Sequence, residues 1–447
     1  MVFTRDLRVS DNPALAAAVN ADHVIPLFVL DDVILRRHSV NATRLGFLLE
    51  SLRDLDSNLR SIGGRLVVRR GRWAKTVLSV AASHGASRVH LADDVSGYAQ
   101  RRLAGLRSLA AIARLDVISH PGVTAAGPLS PYAMPGGHYQ TFTPYYRKWL
   151  VSARRPAAPT PGKVVLPADI DAGRIPDLTE ITGSGRPELA AAPGGETAAL
   201  ARLATWTADR LASYGSVRDL LAADATSRLS AYMHLGCLSP LAVVTGLSAQ
   251  AGGADYARQL AWRDFFCQLL AARPDAANRD YKDRGDQWHN DPDGFAAWQE
   301  GQTGYPLVDA AMRQLSREGF MHNRARMVAA SFLTKDLYID WRAGAAHFAA
   351  MLTDADVACN QLNWQWVAGT GTDRQPYRIF NPTLQSKHFD SRGEYIARYL
   401  PELAGLGPDQ IHDPPHEERR ARRYPMPIVD HQTAAAAWRA RQRRRRH

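Results

Sequence analysis

The sequence predicts a parallel-sheet α/β domain joined by a long connection to an all-helical domain. Three observations carry that reading. Up to residue 120, short apolar runs alternate with Ala/Leu-rich helical stretches, the rhythm of strands connected by crossover helices. From 121 to 193 the chain turns to Pro, Gly and Thr and loses its periodicity, as an extended interdomain linker does. From about Glu196 the pattern is helical nearly throughout. The domains expected are therefore 1–120, a linker 121–193, a helical domain 194–430 and a basic tail 431–447. A length of 447 residues suits two or three domains at about 150 residues each.

Taken in order, Val24 to Leu30, Arg65 to Arg69 and Arg88 to Leu91 read as strands. Pro13 to Val19, Ala42 to Ile62, Ala74 to His84 and Tyr98 to Arg114 read as helices. Within the linker, an aromatic island at His138 to Trp149 is expected to dock onto a domain surface. No GxGxxG fingerprint is present, so nicotinamide binding finds no support. No internal repeat is apparent.

The formal net charge is +11, which favours a polyanionic partner such as nucleic acid. Part of that excess lies in the terminal run Arg441 to His447, expected to be solvated. Cys237, Cys267 and Cys359 are scattered and lack metal-ligand spacing, so reduced thiols and no metal site are expected. No apolar run approaches the roughly 18 residues of a membrane span, and no secretory leader is recognisable. A cytoplasmic protein that does not engage membranes is the expectation.

Chemistry gathers in the helical half, which holds Trp206, Trp262, Trp288, Trp298, Trp341, Trp364, Trp366 and Trp438 of the ten tryptophans. Thr226 to Ser230 is expected to open a helix running to Gly236, with Asp224 or Thr226 as cap and free amides suited to a pyrophosphate. On a helix, Asn323, Arg326 and Met327 share one face, a poor core face and a plausible ligand wall. Asp354 and Asp356 could pair with Arg326 or accept from a ring imide. Asn360 and Trp364 share a face, whereas Trp366 lies roughly 200° round from Trp364.

These segments carry a resemblance. Arg5-Asp6-Leu7-Arg8 with Asp11-Asn12-Pro13, then TSRLSAY, WRDFF, TGYPLVDAAMRQL, MHNRARM, SFLTKDLYIDWR, DADVACNQLNWQW and RIFNPTLQ, resemble the photolyase/cryptochrome signatures in order along the whole chain. The likeness is greatest to class I cyclobutane pyrimidine dimer photolyases. It implies a Rossmann-like N-terminal domain and a helical FAD-binding domain, with Tyr214, Thr226, Ser227, Arg228, Leu229, Ser230, Asn323, Arg326, Asp354, Asp356 and Asn360 around FAD. Arg326 and Asp354 would hold the isoalloxazine edge, with Asn360 facing its central ring. Trp364, Trp341 and Trp288 would relay electrons from flavin to surface.

The resemblance further implies ultraviolet-damaged DNA as partner, its pyrimidine dimer extruded as photolyases do. Trp262, Trp366, Met327 and Asn323 would line the lesion pocket, and Arg218, Arg263, Arg324, Arg378 and Gln385 would contact DNA. An antenna chromophore is expected in the N-terminal domain, 8-hydroxy-5-deazaflavin in preference to methenyltetrahydrofolate, near Phe28, Ile34, Leu35, Arg44 and Asp94. The reaction implied is light-driven splitting of the dimer by a monomeric enzyme. Three departures stand out. Gln259 replaces the usual Glu at the lesion, the Tyr377-Arg378 junction is one residue short, and the chain starts so close to Arg5 that a later-than-usual start is expected. A cryptochrome-type light receptor is the alternative, and Asn360 speaks against it, because plant and animal cryptochromes usually carry Asp or Cys there.

Overall fold

The computed structural model describes residues 1–36, 41–127, 137–183 and 192–444. They divide into two compact units: Met1–Ala212 with Ser227–Pro274, and Ser213–Thr226 with Asp275–His447. The first unit carries a wholly parallel sheet of β1 (Val2–Phe3), β2 (Leu27–Asp31), β3 (Val67–Gly71), β4 (Arg88–Ala92) and β5 (Asp116–His120). Its spatial order is β3-β2-β1-β4-β5. Register pairs Val2 with Leu27 and with Leu91, so β1 lies at the centre, where the strand order reverses.

Sequence and fold agree closely here, and the offsets have local causes. The strand expected from Val24 starts at Leu27, because Pro26 has no N–H for a ladder and the Val24 N–H donates to the Val165 carbonyl at 2.7 Å instead. Helices occupy Pro13–Ala18, Ala42–Ser61, Trp73–Ser83 and Gly97–Ile112. Three start where Asn12, Asn41 and Ser96 accept from the N–H groups of Leu15, Arg44 and Ala99, the capping pattern that satisfies orphan amides. β2, β3 and β4 turn Val29, Val67 and Leu91 into a core with Trp73, Val77 and Leu106.

Helices Glu196–Arg210, Pro240–Leu247 and Gly253–Ala272 belong to this same unit. The seam expected at 193/194 is thus not where the compact units divide. The Glu196 carboxylate accepts from the N–H groups of Val9 and Ser10 at 2.8 and 3.0 Å. Fully buried Arg8 donates to the Gly236 carbonyl at 2.8 Å. Gly236 has φ 70°, and a Cβ there would lie 1.9 Å from the Arg5 carbonyl oxygen, so only glycine fits. The aromatic island docks as expected: helix Phe142–Val151 buries Tyr145 and Trp149, whose indole N–H donates to Asp264 at 3.0 Å.

The second unit packs helices Pro292–Glu300, Pro306–Glu318, Asn323–Ser331, Trp341–Met351 and Val357–Ala368 around Trp298, Met312, Phe332, Trp341, Phe348 and Trp364. A π-helical turn, Phe332–Asp336, directly follows helix Asn323–Ser331 and is buried throughout. The basic tail expected from residue 431 is helical over its described residues. His431–Arg444 is a helix, and its Ala434, Ala435 and Trp438 are buried, because they fall on one stripe of an otherwise basic surface. Lys335 lies 5.2 Å over the Trp438 ring, and His431 bonds Asp336. No described helix is long and apolar enough to cross a membrane.

Candidate cofactor site, tryptophan relay and nucleic-acid face

In the second unit, helix Asn323–Ser331 presents the expected face. Its N-cap is His322, whose Nδ1 accepts from the Arg324 N–H at 3.1 Å and whose Nε2 meets the Arg218 carbonyl at 2.9 Å. Burial holds this imidazole down at a pKa of about 4, so it is neutral at pH 7 with both nitrogens engaged. One turn on, Arg326 makes a two-pronged pair with Asp354 at 3.2 and 2.9 Å, the planar geometry for which guanidinium is suited. Asp356 caps helix Val357–Ala368 by accepting from Cys359 N–H at 2.9 Å. Asn360 donates its amide to the Ala345 carbonyl at 2.9 Å, fixing which way the side chain points.

The hydroxyl-rich segment differs from expectation. The helix starts at Ser230 and ends at Leu235, with Leu229 as cap residue and no side-chain cap. Neither Asp224 nor Thr226 caps it, because Asp224 (φ 43°) and Arg228 (φ 53°) adopt left-handed turns that keep Thr226 to Leu229 out of the helix. The first unit ties Ser227 down through the Tyr256 hydroxyl at 2.8 Å and through Arg202 to its carbonyl at 2.6 Å. On the second unit Tyr214 is buried, and the buried Thr226 hydroxyl has no hydrogen-bond partner. A buried orphan hydroxyl calls for a ligand or water. With the Arg326–Asp354 pair and the Asn360 amide, the donor set suits a polar ring-and-phosphate cofactor such as FAD.

The three tryptophans expected to form a relay all lie in the second unit. Trp364 is buried, edge-on to Phe348 at 4.9 Å and to Trp298 at 6.0 Å. Trp341, fully buried, donates its indole N–H to Asp280 at 2.8 Å, with Arg342 4.7 Å over its ring. Trp288 is half-buried at the rim of an open pocket of about 450 Å³ that Asp280, Asp286, Asp340 and Arg342 also line. Trp364 and Trp341 are thus both buried, and of the three only Trp288 is partly exposed.

The nucleic-acid residues divide. Asn323 is exposed, and its amide lies 3.9 Å from the Met327 sulfur on the same helix face. Half-buried Trp366 has Arg378 over its ring at 5.9 Å, and Gln385 is half-buried in helix Pro382–Phe389. Arg324 pairs with Asp219 at 3.0 Å and covers Phe389 at 4.3 Å, while Arg218 lies 3.9 Å from Asp219. In the first unit, Gln259 is half-buried. There Arg263 does not stand free for DNA: it donates to the carbonyls of Val123 and Met233 and pairs with Asp264, because it crosses between chain segments that need their carbonyls satisfied. Trp262 has one face covered, stacked on Phe142 at 3.7 Å and 6°.

Of the antenna candidates, Phe28 is buried in β2, Ile34 is exposed, and Leu35 and Arg44 are half-buried. Asp94 is spoken for, pairing with Arg5 at 3.4 Å and accepting from Ser96 N–H at 2.8 Å. It lines a cavity of only about 10 Å³ with Thr4, Trp73 and Arg102, room for about one water. That cavity sits where the strand order reverses, the place where open α/β sheets bind ligands. Among the described residues no cluster of three or more His, Cys, Asp or Glu is placed to hold a metal.

Sequence reasoning missed two neighbours, Tyr338 beside Trp288 at 5.0 Å and Phe142 on Trp262. Both are pairings between distant segments, which no local pattern announces. With this geometry in place, comparison with known proteins is informative. Residues 1–162 match the family model described as DNA photolyase, and 256–444 match the FAD binding domain of DNA photolyase. A deoxyribodipyrimidine photo-lyase of Streptomyces griseus is 47% identical over 438 residues, 96% of each chain. A class III photolyase from Agrobacterium tumefaciens has TM-score 0.90 at 34% identity, covering 100% of this chain and 97% of its own. A Synechocystis cryptochrome has TM-score 0.91 at 29% identity, covering 98% of both. The chain belongs to the photolyase/cryptochrome family. Within it the chain is a photo-lyase, an FAD-binding enzyme of light-driven DNA repair.

Proposed function

We propose that the enzyme repairs cyclobutane pyrimidine dimers by electron transfer from photoexcited, reduced FAD. The observation that carries the substrate choice is the side-chain set on helix Asn323–Ser331. Splitting a (6-4) photoproduct also moves a group between bases, which needs acid–base chemistry. This face offers Asn323 and Met327, neither of which transfers protons near pH 7. The adjacent His322 spends both ring nitrogens on backbone groups and is held neutral by burial. Gln259, the residue that (6-4) enzymes carry, pulls the other way, but an amide does not substitute for an acid–base pair.

FAD, when bound and reduced, supplies the light-driven electron donor. The chain's own residues do the rest. Arg326, fixed by Asp354, offers a guanidinium to the ring edge. Asn360, oriented by the Ala345 carbonyl, adds a neutral amide that leaves a negative ring undisturbed. Asn323 and Trp366 offer a pyrimidine an amide and a stacking face. Half-buried Trp262 adds aromatic surface, with Gln259 able both to donate and to accept. Arg378 supplies positive charge for phosphate, and Arg324 and Arg218 do so while sharing Asp219.

For the antenna we favour 8-hydroxy-5-deazaflavin bound near Phe28, Ile34, Leu35 and Arg44, with the Arg5–Asp94 pair opening to admit it. The enzyme is proposed to act as a cytoplasmic monomer. Illuminating the reduced enzyme with oligonucleotides bearing each lesion tests the assignment. Cyclobutane dimers are restored and (6-4) photoproducts are not; the reverse result overturns it. Mass spectrometry of released chromophore tests the antenna, and a folate mass refutes that choice.

A further inference from the structure

A buried cation holds the backbone of one of the expected DNA contacts. Lys335 belongs to the π-helical turn Phe332–Asp336 and is only 3% exposed. Its ammonium donates to the Arg378 carbonyl and lies 5.2 Å from the centre of the Trp438 ring. The charged groups that face it are Asp336 on its own turn, Asp373 and Arg378 on a neighbouring segment, and Arg284. His431 of the terminal helix pairs with Asp336 from the other side. Burying an ammonium is unfavourable, and an unbranched methionine would fill the same space without that penalty. A lysine here calls for a reason beyond packing.

The carbonyl it holds supplies one. Residues 369–381 join helices Val357–Ala368 and Pro382–Phe389 without regular structure. Near Arg378 the segment turns on itself: the Arg378 N–H donates to the Gln375 carbonyl at 3.1 Å, and the Gln375 N–H to Asp373 at 2.9 Å. Such turns do not tie a segment to the body of the protein. Lys335 does so from a buried turn, at the residue whose exposed guanidinium lies 5.9 Å over Trp366. We propose that Lys335 is a positioning residue for DNA binding, its ammonium pinning the Arg378 backbone and so fixing where that guanidinium meets a phosphate beside Trp366. This rests on the reading of Arg378 as a phosphate contact.

The charge matters as well as the bond, because an ionised donor makes the stronger hydrogen bond. Burial, aided by Arg284 and Arg378 and opposed by Asp373 and Asp336, brings the Lys335 pKa down from 10.5 to about 7. A bound polyanion favours the charged form and raises that pKa in the complex. Affinity is then greatest below the pKa of the free protein and falls as pH rises through that of the complex.

The test is anisotropy titration of the FAD-loaded protein with a dimer-bearing oligonucleotide, from about pH 6 to about pH 9. Lys335→Met should weaken binding roughly tenfold near pH 6 and flatten the pH profile, while dimer splitting at saturating DNA keeps its rate. Adding Arg378→Ala to Lys335→Met should then change little, because residues acting through one another are not additive. Lys335→Arg stays charged throughout, so it should bind equally well at both ends of the pH range; this decides the matter should the methionine variant not fold. Wild-type affinity in Lys335→Met, losses that simply multiply in the double variant, or an unaltered pH profile in Lys335→Arg overturns the positioning role. An Arg378→Ala variant with unchanged affinity and salt dependence overturns instead the phosphate reading on which it rests.

Discussion

Gly344 offers a direct handle on buried Trp364, the tryptophan expected to open the relay. It lies inside helix Trp341–Met351, and a Cβ there would sit 2.3 Å from Trp364 Cη2 and 2.5 Å from both Trp364 Cζ3 and Leu333 Cδ2. Carbon atoms rest at about 3.5–4.0 Å, so Gly344→Ala must move the indole by about 1 Å or more. Overpacking of this kind costs about 1–3 kcal/mol. Alanine recovers about 0.5–1 kcal/mol of helix preference over glycine, leaving a net loss of about 1–2 kcal/mol. In a unit of this size that lowers Tm by roughly 2–8 °C. The moved ring also loses its edge contacts with Phe348 and Trp298, so flavin photoreduction slows. Gly105 in helix Gly97–Ile112 is the control, since nothing lies within 4 Å of a Cβ there. Gly105→Ala should raise stability by about 0.5–1 kcal/mol. Thermal denaturation with pump–probe spectroscopy reads both effects. If Gly344→Ala matches Gly105→Ala in sign and leaves photoreduction unchanged, the close packing of Trp364 does not control its function.

Trp364→Phe removes the first relay position; photoreduction of oxidised FAD is lost while repair by chemically reduced enzyme persists, and efficient photoreduction in the mutant refutes the assignment. Buried His322 has its pKa lowered from 6.5 to about 4, so between those values the unfolded chain binds the extra proton and stability falls as pH falls. That loss reaches roughly 3 kcal/mol near pH 4; His322→Asn, which retains a capping oxygen, should show a shallower acid slope in denaturant titrations, and equal slopes contradict it. Arg378→Ala should weaken binding to lesion-bearing DNA and reduce the slope of log affinity against log salt by about 1, and an unaltered slope removes Arg378 from the phosphate footprint.

Most of the sheet was legible because strand and helix periods differ. β5 was not, since Asp116-Val117-Ile118-Ser119-His120 mixes polar and apolar residues too briefly to stand out from a loop. The face shared by Asn323, Arg326 and Met327 could be read from spacing alone, and so could the opposed directions of Trp364 and Trp366. The Arg326–Asp354 pair was legible only as one of two options, because it closes a 28-residue gap. Arg263 looked like its neighbours as a surface cation; only the fold reveals the carbonyls it serves. The basic composition from 431 onward hid a Trp438 stripe that is buried against residues distant in sequence, Lys335 among them.

The interleaving of the two units bears on how such a gene can be shuffled. Residues 213–226 belong with the chain after 275, while 196–212 and 227–274 belong with the sheet. A recombinant joined at a single crossover near 193 would therefore inherit its sheet from one parent and the helices packed with it from another. Glu196 from one source would have to meet Val9 and Ser10 from the other, and Gly236 would have to meet a foreign Arg8. A crossover near 274 would leave only the 14 residues of Ser213–Thr226 on the wrong side. Productive chimaeras of this architecture should accordingly concentrate their junctions there, with the linker between 121 and 193 a poor place to cut despite its loose composition.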